Sequence, residues 1–444
     1  MHSLRLVTGV DPTMRFLFLT PGTGHFFCGS CLRDDALGRA LEALGHEVSV
    51  APLYLPMVLE REEPQEPAVH MGGINVYLQQ KSRVAGMIPR FVRDLLDSPR
   101  LLRWASRRGN MTDASDLGEL TVSILRGEEG RQAKELDKLI EWALKQRRPD
   151  VVVISNAMLT GVVRRLRDTL NVPVVVTLQG EAPFLDGLAP ADRDRAWSTL
   201  RVRAQETDAW IAVSSHYGDE MKTRLGLPTE RVHVVHNGID VADFTAPAAA
   251  PSAPTIGYLA RMCRDKGLDT LVEAFAQLKE RGAPPGLRLR VAGVQLREDQ
   301  PFVEEQRERL RQSDCLGDVD FLPNIDRAQK LDFLRGLTAF SVPARYGESF
   351  GLYLLEAMAA GVPVVQPRHA AFPEILDATG GGLLCPPEDP AALADALLEL
   401  LNDPAHANRL GERGRAAVRD RFTSRRMAQQ VAEICQGLAS STTS

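Results

Sequence analysis

Two glutamates eight residues apart stand in a segment whose spacing suits ligand binding. Residues 346–356 read YGESFGLYLLE, with Glu348 before a glycine-containing turn and Glu356 one to two turns into the helix that should follow. Residues 349–352 would place free backbone N–H groups at that helix start, where an anion or a polar sugar is favoured. One carboxylate would then hold a ligand at the helix mouth while the other grips a more distant hydroxyl. The alternative is a dipole-stabilising acid at 348 and a solvated surface acid at 356.

Two cations bracket a second loop, in residues 257–268, which read GYLARMCRDKGL. Arg261 and Lys266 follow an apolar strand and precede a predicted helix. Two fixed cations at a helix N-terminus are what a diphosphate requires. The alternative is a solvated basic loop in which Gly267 is a turn residue.

A glycine- and cysteine-containing loop follows the first predicted strand. Gly22 and Gly24 are not followed by a third glycine at the spacing of a dinucleotide-binding fingerprint, so that fingerprint is weak. Cys28 and Cys31, at a helix start, could carry redox chemistry or, with His25, bind a metal. No second cysteine pair lies nearby, which favours small side chains lining a tight loop.

The elements that must position these residues alternate between strand and helix. Residues 14–51 read as strand, glycine loop, helix and strand, the pattern of a parallel α/β sheet. Continuously apolar runs, as expected where helices cover both faces of a sheet, recur at 151–154, 173–177 and 210–213. A second series then follows: strands at 255–259, 287–292, 319–322, 338–342, 362–365 and 382–385, with helices at 267–280, 327–335, 351–360 and from about 390 to 438.

This organisation predicts two similar α/β domains facing across a cleft that holds the active site. Residues 85–145 read as a helical insertion, and the Ala- and Pro-rich stretch near 245–254 reads as a linker. The predicted limits are 14–236 for the first domain, 237–254 for the interdomain linker and 255–423 for the second domain.

Composition excludes several classes of protein. The 444 residues carry 53 basic and 58 acidic side chains, a net charge of −5, which argues against a dedicated nucleic-acid binder. No apolar run reaches the ~18 residues of a membrane-spanning helix, and residues 1–13 are too short and polar for a secretory signal. Six scattered cysteines favour a reducing cytosol. The basic and apolar segment 86–108 suits weak peripheral contact with the inner membrane face; the alternative is an ordinary packed helix.

Three motifs together resemble the retaining, nucleotide-sugar-dependent glycosyltransferases of family four, which have the GT-B fold of two Rossmann-like domains. The motifs are the Glu-x7-Glu segment 348–356, the Arg-x4-Lys segment 261–266, and VVHNGID at 234–240. The resemblance covers nearly all of the second half and the framework of the first. It implies a C-terminal helix, near 424–438, that crosses back to the first domain.

The resemblance also implies a role for each motif residue. Glu348 would touch hydroxyls of the transferred sugar, and Arg261 and Lys266 would neutralise the diphosphate leaving group without a metal or other cofactor. The leaving group would assist deprotonation of the acceptor on the same face, which retains configuration. The remaining donor-binding residues implied are Ser349, Phe350, Gly351 and Leu352 around the sugar and phosphate, Glu356 on the ribose, and Asn237 and Gly238 at the hinge.

One position departs from the family pattern. The family usually ends a strand with histidine in a Thr-x-His context, whereas here Thr177 is followed by Leu178 and Gln179. Glutamine still hydrogen-bonds a sugar hydroxyl but carries no positive charge. Gly22 and Gly24 lie where the family has a glycine-rich turn on the acceptor and phosphate side of the cleft.

Three functions fit this set of residues. The first is transfer of a sugar from a nucleoside diphosphate donor, with UDP, GDP and ADP unresolved, to a glycan, a lipid-linked acceptor or a small molecule. The second is a catalytically silent relative that binds a nucleotide sugar or a partner, supported only by Gln179. The third is a nucleotide-sugar epimerase of the same fold, which would need further acid and base residues in the first half.

Overall fold

The structure is a computed structural model that describes residues 13–22, 29–54, 114–244 and 253–442. Gly24, Cys28 and residues 85–113 of the expected insertion, which include the segment 86–108, lie outside the described residues. Within them, the chain forms two parallel sheets with helices on their faces. The predicted α/β architecture is therefore confirmed.

The strands before residue 235 form one parallel sheet in the order β2-β1-β3-β4-β5-β6. Its central strands are continuously buried because helices pack on both faces. The order reverses between β1 and β3, and at such a point two adjacent loops leave the carboxyl edge in opposite directions. The strands are β1 (Arg15–Thr20), β2 (Glu47–Pro52), β3 (Val151–Ile154), β4 (Val174–Leu178), β5 (Ala209–Ala212) and β6 (Val232–Val234).

The helices that accompany this sheet include two from the expected insertion, in its described part. They are α1 (Gly29–Ala43), α2 (Ala114–Arg126), α3 (Ala133–Lys145), α4 (Val163–Leu170), α5 (Ala182–Asp186), α6 (Pro190–Ala204) and α7 (Ser215–Leu225). A polar pair also fixes the opposite, amino edge of the sheet: Arg15 Nη2 donates to Asp150 Oδ1 at 2.9 Å.

The second parallel sheet has the order β12-β11-β10-β7-β8-β9. It reverses between β10 and β7, so the loops after those two strands flank a second crevice. The strands are β7 (Thr255–Leu259), β8 (Arg288–Gly293), β9 (Val319–Pro323), β10 (Ala339–Phe340), β11 (Val364–Pro367) and β12 (Gly382–Cys385). Strand β10 is shorter than the predicted 338–342, because only two of its residues pair with its neighbours.

The helices of the second half include two that no predicted element covered, at 300–312 and 372–379. They are α8 (Leu268–Glu280), α9 (Gln300–Gln312), α10 (Arg327–Arg335), α11 (Leu352–Ala359), α12 (Phe372–Thr379), α13 (Pro390–Asn402), α14 (Pro404–Arg421) and α15 (Ser424–Thr442).

Helix α15 packs on the first sheet although it follows the second in the chain. Met427, Val431 and Cys435 are buried in one cluster with Phe16 of β1 and Leu41 of α1. The backbone crosses at a parallel bridge between residues 239 and 423. The predicted domain limits stay predictions, but residues 237–244 are held in place, since Phe244 is 3% exposed in the core of the second half.

Candidate active site

A cleft of about 260 Å³ lies where the carboxyl edges of the two sheets face each other. The start of α1 forms one wall, and loops of the second sheet form the other. The residues that line it are Gly29, Leu32, Arg33, Asp35, Ala36 and Arg39 of α1; Gly238, Ile239, Asp240 and Phe244 of the crossing segment; and Leu259, Ala260, Arg261, Gly293, Val294, Arg327, Lys330, Leu352, Tyr353 and Glu356.

Glu348 occupies the loop that leads from β10 to α11, beside the reversal of the second sheet. Its Oε2 accepts from Lys266 Nζ at 2.5 Å, from the Tyr353 hydroxyl at 2.9 Å and from the Tyr346 hydroxyl at 3.2 Å. The side chain is 9% exposed. The loop after β7 and the loop after β10 thus meet at one carboxylate, as strand order requires.

Lys266 ends the loop after β7, and Gly267, with φ of +70°, turns the chain into α8. Alanine at 267 would place Cβ 1.9 Å from the Pro343 carbonyl oxygen, so glycine is required. Burial disfavours the ammonium, but the Glu348 carboxylate more than offsets this and raises the pKa of Lys266. The ammonium also lies 4.7 Å from the ring centroid of Tyr346.

Arg261 lines the cleft, and two carboxylates hold its guanidinium in place. Its Nε donates to Asp299 Oδ2 at 2.9 Å, and its Nη2 donates to Asp299 Oδ1 at 2.9 Å and to Glu298 Oε1 at 2.6 Å. Burial lowers the pKa of Arg261, but the Asp299 carboxylate outweighs burial and raises it. Two-point contact with a buried carboxylate orients a permanent charge toward the cleft.

Glu356 and Lys330 form an ion pair on the cleft wall. Lys330 Nζ donates to Glu356 Oε1 at 2.7 Å, and the side chains are 10% and 18% exposed. Sequence reasoning singled out Glu356 but missed Lys330, which lies 26 residues away on α10.

The start of α11 joins the two halves of the protein. Gly351 has a φ of +88° and redirects the chain into the helix. Ser349 Oγ donates to the Gln179 carbonyl at 2.9 Å, and the Ser349 carbonyl accepts from Ser214 Oγ at 2.7 Å. Phe350 is buried and packs beside His236, while Leu352 lines the cleft.

Gln179 directly follows β4, and its side chain faces the first half rather than Glu348. Its Nε2 donates to the Ser155 carbonyl at 2.7 Å and to Asp34 Oδ1 at 3.3 Å. Its backbone N–H donates to the carboxylate of Glu181, which is 2% exposed and also accepts from the Tyr217 hydroxyl. Both hydrogens of the Gln179 amide are thus committed within the protein.

The remaining predicted residues lie around the crossing segment and the first loop. Asn237 is buried, and its Oδ1 accepts from Arg33 Nε at 3.3 Å. Gly238 lines the cleft, and a Cβ there would meet the Thr423 carbonyl oxygen at 2.2 Å. Gly22 turns the chain after β1 with a φ of +75°.

Of the three residues predicted for redox chemistry or metal binding in the first loop, Cys31 is described by the structure, and His25 and Cys28 lie outside the described residues. Cys31 is fully buried, with Sγ 3.6 Å from the Thr20 hydroxyl. Across the described residues, no cluster of three or more His, Cys, Asp or Glu side chains is suited to a metal ion.

Glu374, on α12, was missed by sequence reasoning and makes a clasp between the two halves. Its Oε1 lies 2.6 Å from His236 Nε2, and its two oxygens accept from the backbone N–H groups of Ser215 and His216 at 2.9 and 3.1 Å. Burial alone would raise the pKa of Glu374, but these hydrogen bonds outweigh it and lower the pKa to about 2. The clasp keeps α12 against the start of α7.

Comparison with known proteins identifies the family. The family described as glycosyl transferases group 1 matches residues 242–417, and glycosyltransferase family 4 matches residues 122–243. A glycogen synthase of Mycobacterium tuberculosis is 30% identical over 66% of this chain and 68% of its own length. The chain belongs to the family four glycosyltransferases. A D-inositol 3-phosphate glycosyltransferase of Jonesia denitrificans is 29% identical over 66% of this chain and 70% of its own length.

Solved structures of other glycosyltransferases share the fold. The sucrose-phosphate synthase of Thermosynechococcus elongatus superposes with a TM-score of 0.71 at 20% identity, over 96% of this chain and all of that one. The Anabaena protein HepE, solved with UDP, gives 0.67 at 17% identity over the same shares. The GT-B fold implied by the sequence motifs is therefore confirmed. Within the described residues, no helix of this glycosyltransferase combines the length and apolarity needed to cross a bilayer.

Proposed function

We propose that this glycosyltransferase moves a sugar from a nucleoside diphosphate donor to a hydroxyl acceptor with retention of anomeric configuration. The observation that carries the proposal is a group of cations and carboxylates in and beside one cleft. Arg261 and Glu356 line the cleft, and the Lys266–Glu348 pair lies next to it, joined to the lining residue Tyr353 through the Tyr353 hydroxyl. Such an arrangement suits a ligand with a diphosphate between two hydroxyl-bearing groups.

The leaving diphosphate gains negative charge as the glycosidic bond breaks. Arg261 is already aimed at the cleft by Asp299, so its charge needs no reorganisation when the bond breaks. Lys266 would turn from Glu348 toward the phosphate when a donor arrives, and Glu348 would then accept from a sugar hydroxyl instead. These permanent cations supply the charge for which other enzymes use a metal, so the proposed reaction requires none.

UDP-glucose is the donor to examine first. Structures of HepE were solved with UDP, with UDP and glucose, and with UDP-glucose. Glu356 would bind the ribose, and a ribose hydroxyl there would share the carboxylate with Lys330. The acceptor would enter along the α1 wall, opposite the nucleotide.

The test is mass spectrometry of the purified protein with UDP-, GDP- and ADP-glucose and a panel of sugar and polyol acceptors. The proposal expects a glycoside product and one nucleoside diphosphate per transfer, with the anomer of the donor retained by NMR. An epimerised donor would replace the proposal with epimerase chemistry. Tight binding without turnover would support the silent relative.

A further inference from the structure

A buried charge pair lies behind the α1 wall of the cleft, where the first sheet reverses its strand order. Arg33 and Asp34 belong to α1, and their side chains are 0% and 2% exposed. Arg33 Nη1 donates to Asp34 Oδ1 at 3.0 Å. The carbonyl and amide groups that complete the cluster come from Ser155 after β3, Gln179 after β4 and Asn237 after β6.

Arg33 and Asp34 each make further hydrogen bonds to neighbouring amide side chains of the protein. Arg33 Nε donates to Asn237 Oδ1, and Asp34 Oδ1 also accepts from Gln179 Nε2. Gln179 is in turn fixed by the Ser155 carbonyl at 2.7 Å. These bonds hold the pair in one orientation.

The other side of the pair is unsatisfied. Arg33 Nη2 and Asp34 Oδ2 are buried and have no hydrogen-bond partner among the described residues. The Ser155 hydroxyl interacts with the Asp34 carboxylate but makes no hydrogen bond of good geometry. Burial raises the pKa of Asp34. Unpaired buried polar groups are costly and rare, so this arrangement calls for a missing partner.

The position of the pair indicates what that partner is. Arg33 lines the cleft, and Gln179 touches Ser349, the neighbour of Glu348, through its own carbonyl oxygen. An anion would be repelled by Asp34, and a cation would be repelled by Arg33. A hydroxyl group both accepts and donates, so it satisfies the arginine and the carboxylate together.

We propose that Arg33 and Asp34 form a subsite that recognises a sugar hydroxyl in the cleft. The inference rests on the proposed function and names the chemistry of its ligand. Both amide hydrogens of Gln179 are donated to groups within the protein. Arg33 and Asp34, rather than Gln179, therefore recognise a hydroxyl at this edge of the sheet. The hydroxyl belongs either to the transferred sugar or to a sugar acceptor, and the two sources are distinguished below.

The experiment replaces both groups at once, in Arg33→Met/Asp34→Leu, so that neither charge is left buried alone. Calorimetry measures the binding of UDP and of UDP-glucose to the free protein. It also measures the binding of glucose to the UDP-saturated protein. The matched control is Arg15→Met/Asp150→Leu, a partly exposed Arg–Asp pair at the opposite edge of the same sheet. Melting temperatures of all three proteins are recorded without ligand.

We expect the variant to bind UDP like the parent and to keep or raise its melting temperature, since an unsatisfied buried pair contributes little stability. If the hydroxyl belongs to the donor, UDP-glucose binding weakens about tenfold or more. If it belongs to the acceptor, glucose binding to the UDP-bound protein weakens instead. The control changes neither.

Parental affinity of the variant for both glucose-containing ligands overturns the subsite. So does a melting temperature several degrees lower with an equal loss of UDP affinity, which marks a structural pair. Should the parent itself bind no uridine ligand, the donor named in the proposed function fails. In that case the melting temperature of the Arg33→Met/Asp34→Leu variant is the deciding measurement. A value below that of the parent overturns the subsite, and a retained or raised value supports it.

Discussion

Glu348 and Lys266 each need the other as a counter-charge in their partly buried position. The Glu348 and Lys266 side chains are 9% and 19% exposed, so without its partner either charge would lower the free energy of unfolding. The pair is also the centre of the proposed chemistry, because a donor would separate it. Substitution of either member therefore changes stability and activity together, and the two effects need separate measurements.

Glu348→Gln should reduce turnover about 10- to 100-fold, because a charged acceptor for a sugar hydroxyl becomes a neutral one. It should also lower the melting temperature, since Lys266 loses its counter-charge. The matched variant is Glu348→Gln/Lys266→Met, which should recover the melting temperature but not turnover. Initial rates with the best donor, beside thermal unfolding, check both. Parental turnover in Glu348→Gln would remove this residue from the site.

Arg261→Lys should weaken nucleoside diphosphate binding about tenfold and reduce turnover further, because the contribution of the charge grows as the leaving group forms. Lysine cannot make the two-point contact with Asp299 that aims the guanidinium. Arg264→Lys is the control in the same loop, since Arg264 pairs with Asp269 and Glu305. Calorimetry measures nucleoside diphosphate affinity, and initial rates measure turnover. If Arg261→Lys and Arg264→Lys gave the same affinity and the same turnover, the phosphate site would lie elsewhere.

At the scale of elements, strand order explains why these residues meet. The loops after β7 and β10 flank the reversal of the second sheet, and they carry Arg261, Lys266 and Glu348. The carboxyl ends of β1 and β3 flank the reversal of the first sheet, beside Asp34 and Ser155. Helices α7 and α12 then hold the two edges together through Glu374.

The clasp at Glu374 predicts a pH-dependent contribution to stability. Its pKa of about 2 lies below the ordinary value of 4.5, so the ionised form favours the folded state. The contribution, on the order of 2–3 kcal/mol, is complete above pH 4.5 and is lost as the pH falls toward 2. Parent and Glu374→Gln should differ in melting temperature at pH 7 and converge near pH 2.

The control for this experiment is Glu399→Gln, which removes another Glu–His contact, at His406, within the second half. It is 53% exposed and should change the melting temperature little at any pH. A constant difference between parent and Glu374→Gln across the pH range would contradict the clasp.

At the scale of the molecule, α15 makes the two halves depend on each other. It belongs to the end of the chain, yet its apolar face completes the core beneath β1 and α1. The cleft is therefore bounded by a chain that crosses it twice, at residues 237–244 and at 423–424.

Val431→Asp should destabilise the protein by about 3 kcal/mol or more, because it buries an unpaired charge in the first core. Gln429→Asp, on the exposed face of the same helix, should stay within about 0.5 kcal/mol of the parent. Urea unfolding of both variants measures the difference. Equal stabilities would show that α15 does not contribute to the core in solution.

Local patterns in the sequence determined much of this protein. Strands 151–154, 255–259 and 382–385 and helix 327–335 were predicted to the residue, because apolar runs, caps and glycines act over a few neighbouring positions. The spacing from Glu348 to Glu356 is local in the same sense, since only a short turn and the start of α11 separate the two residues.

Only the tertiary structure decided which distant groups touch. Lys266 and Glu348 are 82 residues apart, His236 and Glu374 are 138 apart, and Arg33 and Asn237 are 204 apart. No local pattern encodes such pairs, because strand order and the return of α15 bring them together. The physical reason is that a buried polar group takes whichever partner the packed sheets place beside it, and that choice is made only when the chain has folded.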